Sequence, residues 1–365
     1  MVFLADLQGE EHVFKYGLFG VQHDILTPAK QTVISALYNL LAQSSDRVDH
    51  LRDENHGLPL AWPRSTTFVA YWLHSEDYDR WKETDAVRDF WENLPDDAGV
   101  WREVMTVPKS RFMHASNQNV KSGLGHLLDL KHSNDEGYWS VYRHRLAAIT
   151  DKHTDPGDTF TSAYTTTTKA KADPSKLVVN LQKPQSTVIR SGRIHISKVP
   201  DNLCFAREGQ RLPNVSKEER DTWLESIAPH AQSWIEHLDT ERNKTGVLYF
   251  TTHVRHEKLA STVAEPMRDF DPAADLQSDS EAIAETNQLA FFLDLAHFEQ
   301  SGRSHRGHVQ LRKNTMTLYG PGGKMSGGKA VLFVELCVLK SGDLDAEYIG
   351  CREGTGLMVL KDFEN

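Results

Sequence analysis

Apolar and polar positions along this chain fall into two stretches that repeat one order of periods. Val13–Val21, rich in aromatic and β-branched residues, predicts a strand. Thr27 and Pro28 then open an amphipathic helix, in which Val33, Leu37, Leu40 and Leu41 fall at helical spacing. Thr67–Trp72 reads as a short strand, Trp81, Val87, Phe90 and Trp91 mark a helix, and Val100–Val107 alternates as a strand until Pro108 stops it. The second stretch begins with a strand at Asn202–Arg207. One long helix from Glu218 to Leu238 follows, striped by Trp223, Ile227, Trp234 and Leu238. Strands at Leu248–Val254 and Gln288–Phe292, a helix from Phe298 to Leu311 and a strand at Val331–Val338 complete it.

The repeat is visible in residues as well as in order. Val69-Ala-Tyr-Trp72 matches Leu289-Ala-Phe-Phe292, Asp77-Tyr-Asp79 matches His297-Phe-Glu299, and Trp101-Arg-Glu-Val104 matches Phe333-Val-Glu-Leu336. We therefore expect one α+β domain made of two related halves, about 10–150 and 190–345, whose sheets pack into one barrel-like core with helices around it. The Thr-, Lys-, Asp- and Pro-rich stretch at 151–188 reads as a polar surface excursion, and Asp269–Ser280 as an acidic loop. The glycine-rich run Gly320–Lys329 joins a helix to a strand, the reverse of a phosphate-binding loop, and reads as a flexible connection.

Length and charge narrow the function. A chain of 365 residues can bury a sizeable core. A net charge of -10 and a pI near 6.0 argue against a nucleic-acid partner. No apolar run is long enough for a membrane span, and the first residues lack the pattern of a secretory signal. Three sparse cysteines, Cys204, Cys337 and Cys351, fit a reducing compartment. The expectation is a cytoplasmic protein acting on a small-molecule substrate.

Candidate chemistry concentrates in His297-Phe-Glu-Gln-Ser-Gly-Arg-Ser-His305-Arg-Gly-His308. If this segment is one helix, the three imidazoles lie within an arc of roughly 80°, and His297 and His308 are about 16 Å apart along the axis. Those two cannot share one metal ion. His305 and His308 could share a zinc ion, but no pattern supplies the further ligands that zinc requires. A single imidazole suffices for a haem iron, and without Cys-x-x-Cys-His the haem would be held non-covalently. The competing reading is a solvated helix face beside Arg303 and Arg306.

Several segments, in order along most of the chain, resemble the haem-dependent aldoxime dehydratases. They include Phe68-Val-Ala-Tyr-Trp72, Val100-Trp-Arg-Glu-Val-Met-Thr-Val-Pro108, Tyr138-Trp-Ser-Val-Tyr-Arg-His-Arg145, Val199-Pro-Asp-Asn-Leu-Cys-Phe-Ala-Arg207, Glu335-Leu-Cys-Val-Leu339 and Cys351-Arg-Glu-Gly-Thr-Gly356. The resemblance implies ferredoxin-like halves forming a dimeric α+β barrel, pairing as a homodimer, and a haem b with His308 as its axial ligand. It also implies loss of water from an aldoxime, R–CH=N–OH, to leave a nitrile. Such a reaction needs a positioned acid, because hydroxide leaves poorly.

The resemblance places the acid's histidine at Val334 and its partner serine at Pro213. This chain therefore departs from the family at both positions, since neither residue transfers a proton. Ser216 could replace the serine if the loop takes a different path. Arg193 matches a family arginine of the distal pocket, Glu136 matches a family acid, and His195, two residues beyond Arg193 on the same strand face, is a candidate substitute acid. The two vacated positions also admit a haem enzyme of changed chemistry, such as N–O rearrangement, N–N bond formation or oxidation, or a non-catalytic haem-binding protein.

Overall fold

The computed structural model describes residues 2–7, 12–23, 25–53, 64–133, 142–146, 188–212, 215–256 and 283–364, with 148, 160–162, 164 and 181. The strands are β1 (Val2–Asp6), β2 (Val13–His23), β3 (Arg47–Asp53), β4 (Arg64–Trp72), β5 (Val100–Pro108), β6 (Phe112–Ser116) and β7 (Asp129–Ser133), then β8 (Ile189–Ile196), β9 (Leu203–Arg211), β10 (Val247–His256), β11 (Ile283–Phe292), β12 (Val331–Leu339) and β13 (Leu344–Arg352). The helices are α1 (Pro28–Ala42), α2 (Ser75–Lys82), α3 (Asp85–Glu92), α4 (Lys217–Ser226), α5 (Ala228–Thr240), the single turn α6 (Arg242–Thr245), α7 (Leu295–Ser304) and α8 (Arg306–Tyr319). No helix among the described residues is long and apolar enough to cross a membrane. Glu136, Pro213, nearly all of the 151–188 excursion and the acidic loop at 269–280 lie outside the described residues.

The thirteen strands among the described residues join one sheet, in the order β7-β1-β6-β12-β9-β11-β10-β3-β4-β2-β5-β13-β8. That order is nearly palindromic about the β10–β3 junction, where His253 pairs with Asp53 and Val254 with Arg52. On one side, β2, β3, β4 and β5 lie in the order β3-β4-β2-β5. On the other, β9, β10, β11 and β12 lie in the matching order β10-β11-β9-β12. Each half also lends a strand to the other, β6 pairing with β12 and β13 with β5. Separating the halves would therefore leave strands of both unpaired.

Matched residues sit at matched places. Gly20 lies opposite Trp101 and Gly209 opposite Phe333. A Cβ at Gly20 would stand 2.2 Å from the Trp101 ring, and one at Gly209 would stand 2.0 Å from the Phe333 ring, so each aromatic lies flat over a strand that can carry no side chain there. Two residues beyond each aromatic is a fully buried carboxylate, Glu103 or Glu335. Glu335 accepts hydrogen bonds from the Tyr16 hydroxyl (2.6 Å), the Tyr71 hydroxyl (2.8 Å) and the Leu124 N–H (2.5 Å). Glu103 accepts from the Tyr348 hydroxyl and the Leu357 N–H (3.0 Å). The residue before each leucine is a glycine at positive φ, Gly123 (48°) and Gly356 (52°), where a side chain would overlap the carboxylate.

Arg207, also fully buried, ties the halves together. Its guanidinium donates to Asp49 (2.9 Å), the Tyr71 hydroxyl (2.6 Å), Asn287 (2.8 Å) and Glu285 (3.3 Å). A buried charge persists only with such partners. Burial pushes the Glu335 carboxyl up, but His114, Arg207 and Tyr16 outweigh it and hold the group below its ordinary range.

Three predicted helices are each two helices here. The Trp81–Trp91 segment breaks at Glu83–Thr84, and the Glu218–Leu238 helix breaks at Ile227, where Pro229 starts a new helix because it has no N–H to donate backwards. The histidine helix breaks at His305, whose extended backbone (φ -82°, ψ 122°) caps α8.

Candidate functional site

A cleft, partly open to solvent, lies between helices α5 and α8 and the face of strands β11, β9 and β12. Trp234 and Ile235 reach it from α5, and His308, Leu311 and Arg312 from α8. Gln288, Glu208 and Val334 reach it from the sheet, where register sets them in one row across three strands. Side chains at directly paired positions share a sheet face with Cβ atoms about 5 Å apart.

The break at His305 positions His308 in the first turn of α8, where its side chain can fold back over the end of α7. Its Nδ1–H donates to the Gly302 carbonyl, which fixes the ring and leaves Nε2 as the nitrogen with a lone pair to offer. The indole of Trp234 packs on the ring at 4.7 Å between centroids. Gly302 leaves room for the ring: a Cβ there would stand 3.1 Å from it, a tight contact. Burial, helped by the charges of Arg312 and His305 and partly offset by the Gly302 bond, lowers the His308 pKa to about 4. The imidazole is therefore neutral across the physiological range, the form that ligates metal.

The other two histidines do different work, and the solvated-face reading fails. His297 is buried on α7, where its Nδ1–H donates to Asp294 at 2.7 Å. His305 caps α8 by accepting the His308 N–H at 3.3 Å, and stacks on His237 at 4.3 Å. Among the described residues no group of three His, Cys, Asp or Glu side chains could hold a bare metal ion. One neutral imidazole facing a cleft walled by Val334, Leu332, Leu311, Ile235 and Met316 is instead the donor set that a haem iron requires.

Of the other candidates among the described residues, Arg193, His195 and Ser216 do not line this cleft. Arg193 and His195 lie on edge strand β8. Arg193 donates to Glu347 (3.0 Å) and to the Trp91 carbonyl, and His195 pairs with Asp345 (2.6 Å) on the outer surface. Ser216 is the N-cap of α4, its hydroxyl accepting the Glu219 N–H at 3.1 Å. All three are therefore committed to local structure. Val334 does line the cleft, 3% exposed.

Glu208 and Gln288 were not foreseen, although the internal repeat could have exposed them. Aligning Gly20 with Gly209 sets Glu208 against Phe19, and the same registers set Gln288 against Phe68 and Val334 against Arg102. In the first half Phe19 and Phe68 are fully buried among Trp72, Tyr78 and Trp81, and that space is packed. In the second half a carboxyl and an amide replace the two rings, and the space is open. Glu208 keeps some surface, which faces the cleft, and accepts one hydrogen bond from the Trp234 indole at 3.3 Å. Burial raises its pKa, partly opposed by that bond. Gln288 is 4% exposed, and its Nε2 has no hydrogen-bond partner among the described residues.

Comparison with known proteins gives a consistent picture. The family model described as haem-containing dehydratase matches residues 17–357. The phenylacetaldoxime dehydratase of Bacillus sp. (strain OxB-1) is 23% identical over 311 residues, covering 81% of this chain and 74% of that protein. An aliphatic aldoxime dehydratase of Rhodococcus erythropolis is 23% identical over 298 residues, covering 80% and 70%. The fold matches a crystal structure of an aldoxime dehydratase in complex with butyraldoxime at a TM-score of 0.73 and 18% identity, over 98% of this chain and 88% of that one.

Proposed function

Because the chain belongs to the haem-containing dehydratase family, we propose that it binds haem b non-covalently through His308 and converts aldoximes to nitriles with loss of water. The observation that carries this reading is the neutral His308 imidazole, held by the Gly302 carbonyl with Nε2 left for a metal at the wall of an open cleft. Haem, when bound there, supplies a ferrous centre that draws on the oxime nitrogen and weakens the N–O bond. The chain's own residues supply the rest. Trp234 holds the His308 ring, the apolar wall of Leu332, Val334 and Leu311 limits water, and Arg312 offers a cation for the haem carboxylates.

We also read the two halves as ferredoxin-like units of one haem domain. The shared strand order, the paired Gly–aromatic contacts and the paired buried carboxylates support that reading. The functional test is direct. Haem-loaded protein, reduced and kept anaerobic, is given phenylacetaldoxime and butyraldoxime, and the products are analysed by chromatography. The matching nitrile is expected; its absence with both substrates would overturn the reaction.

A further inference from the structure

We infer that Glu208, seated beside Gln288 on the sheet wall of the cleft, is the proton donor and acceptor of the site. The inference rests on the dehydration reading for its chemistry and on the structure for its residue. Three observations converge on this carboxyl. It lies in the centre of the row Gln288–Glu208–Val334, so it is the acidic group on the sheet face opposite the helices that carry His308. The equivalent position in the first half is Phe19, packed solid, so nothing in the strand pattern itself asks for an acid here. Its neighbour Gln288 is buried, and its Nε2 has no hydrogen-bond partner among the described residues, the kind of vacancy that a polar ligand fills at a binding wall.

The surroundings suit a group that must carry a proton before reaction and take one back afterwards. Val334 beside it is apolar and the Trp234 indole donates to it, and burial shifts its titration upward against that bond, so a proton is held more readily than on a free carboxyl. In the forward step the Glu208 carboxyl gives its proton to the oxime hydroxyl oxygen. The N–O bond breaks, and its electron pair leaves with water. The resulting Glu208 carboxylate then takes the proton from the oxime carbon, and the C–H pair becomes the third carbon–nitrogen bond. Aldoxime gives nitrile plus water, the carboxyl is restored, and no net oxidation or reduction occurs. Gln288 acts as a positioning residue, its amide donating to the oxygen that leaves or to the carboxylate between the two transfers.

The test uses haem-loaded protein with phenylacetaldoxime and follows two readouts. The first is nitrile formation in wild type, Glu208→Gln and Glu208→Asp, each with its haem absorption and its aldoxime-induced spectral shift measured. We expect Glu208→Gln to keep both spectra and lose about 10²- to 10⁴-fold in rate, with Glu208→Asp between it and wild type because the carboxyl is kept but drawn back. A rate within threefold of wild type in Glu208→Gln overturns the assignment and leaves the dehydratase reading standing. The second readout is infrared difference spectroscopy on adding phenylacetaldoxime. Wild type should show a perturbed protonated-carboxyl band that Glu208→Gln lacks, and a band that is absent from wild type or survives the substitution overturns the assignment. If wild type makes no nitrile but shows that band, the reaction is wrong and Glu208 still stands as the protonated group facing the ligand.

Discussion

At the scale of single residues, a glycine one helix away from His308 leaves the space in which its ring packs. Glycine costs a helix about 1 kcal/mol relative to alanine, and from sequence alone Gly302 reads only as a weakness. In the fold it is the residue whose carbonyl orients the His308 ring and whose bare Cα admits it. A Gly302→Val substitution should displace the imidazole, and loss of such ligand-orienting contacts typically weakens metal binding by about 10- to 100-fold. Haem titration followed by absorbance measures this; an unchanged affinity would show that the contact has no such role. Residue type and the family resemblance singled out His308, which the structure puts at the cleft. Glu208 escapes notice because a lone glutamate after Arg207 looks like any strand-end charge unless the repeat is aligned through Gly20 and Gly209 and register sets it beside Val334.

Among elements, periodicity located most strands and helices of the two repeats but ran helices together. An apolar stripe continues through a break if both segments bury residues at helical spacing, as Trp223 does before Ile227 and Trp234 and Leu238 do after it, even though Trp223 packs in a different cluster from the other two. Strands with mixed polarity escaped detection for a related reason. In β3, Asp49 is fully buried, and its role is to pair with Arg207, not to face water. Ser216 shows how element structure corrects a site assignment. As the cap of α4, Ser216→Ala should lower stability by about 1 kcal/mol, read as a fall in melting temperature, while haem absorption and nitrile formation stay unchanged. A loss of activity with no loss of stability would return Ser216 to the site.

For the whole molecule, the exchange of β6 and β13 between halves makes the C-terminal segment part of the first half's core. Its Leu357 N–H and the Tyr348 hydroxyl both close on Glu103. Burial drives the Glu103 pKa up to about 7, and the bonds from Tyr348 and Leu357 only partly oppose this. The folded chain thus keeps a proton that the unfolded chain releases near its ordinary value, 4.5. This group's contribution therefore favours the fold at low pH and declines as pH rises from about 4.5 to 7, reaching a penalty on the order of 3 kcal/mol. Glu103→Gln should remove that decline, so the variant gains on wild type as pH rises through this window in denaturant melts. A parallel pH dependence in both proteins would refute the assignment. The repeated residue patterns lead to the expectation of two halves, and the matching strand orders on either side of the β10–β3 junction agree with it, whereas the strand exchange left no trace, because pairing between distant segments leaves no local period.

Haem titration of wild type against His308→Ala, followed by the Soret band, tests the central claim most directly. Wild type should bind one haem per chain with the spectrum of a histidine-ligated iron, and His308→Ala should lose that spectrum while keeping its far-ultraviolet circular dichroism. The same Soret spectrum and affinity in both proteins would contradict His308 as the ligand, and with it the site built around this cleft.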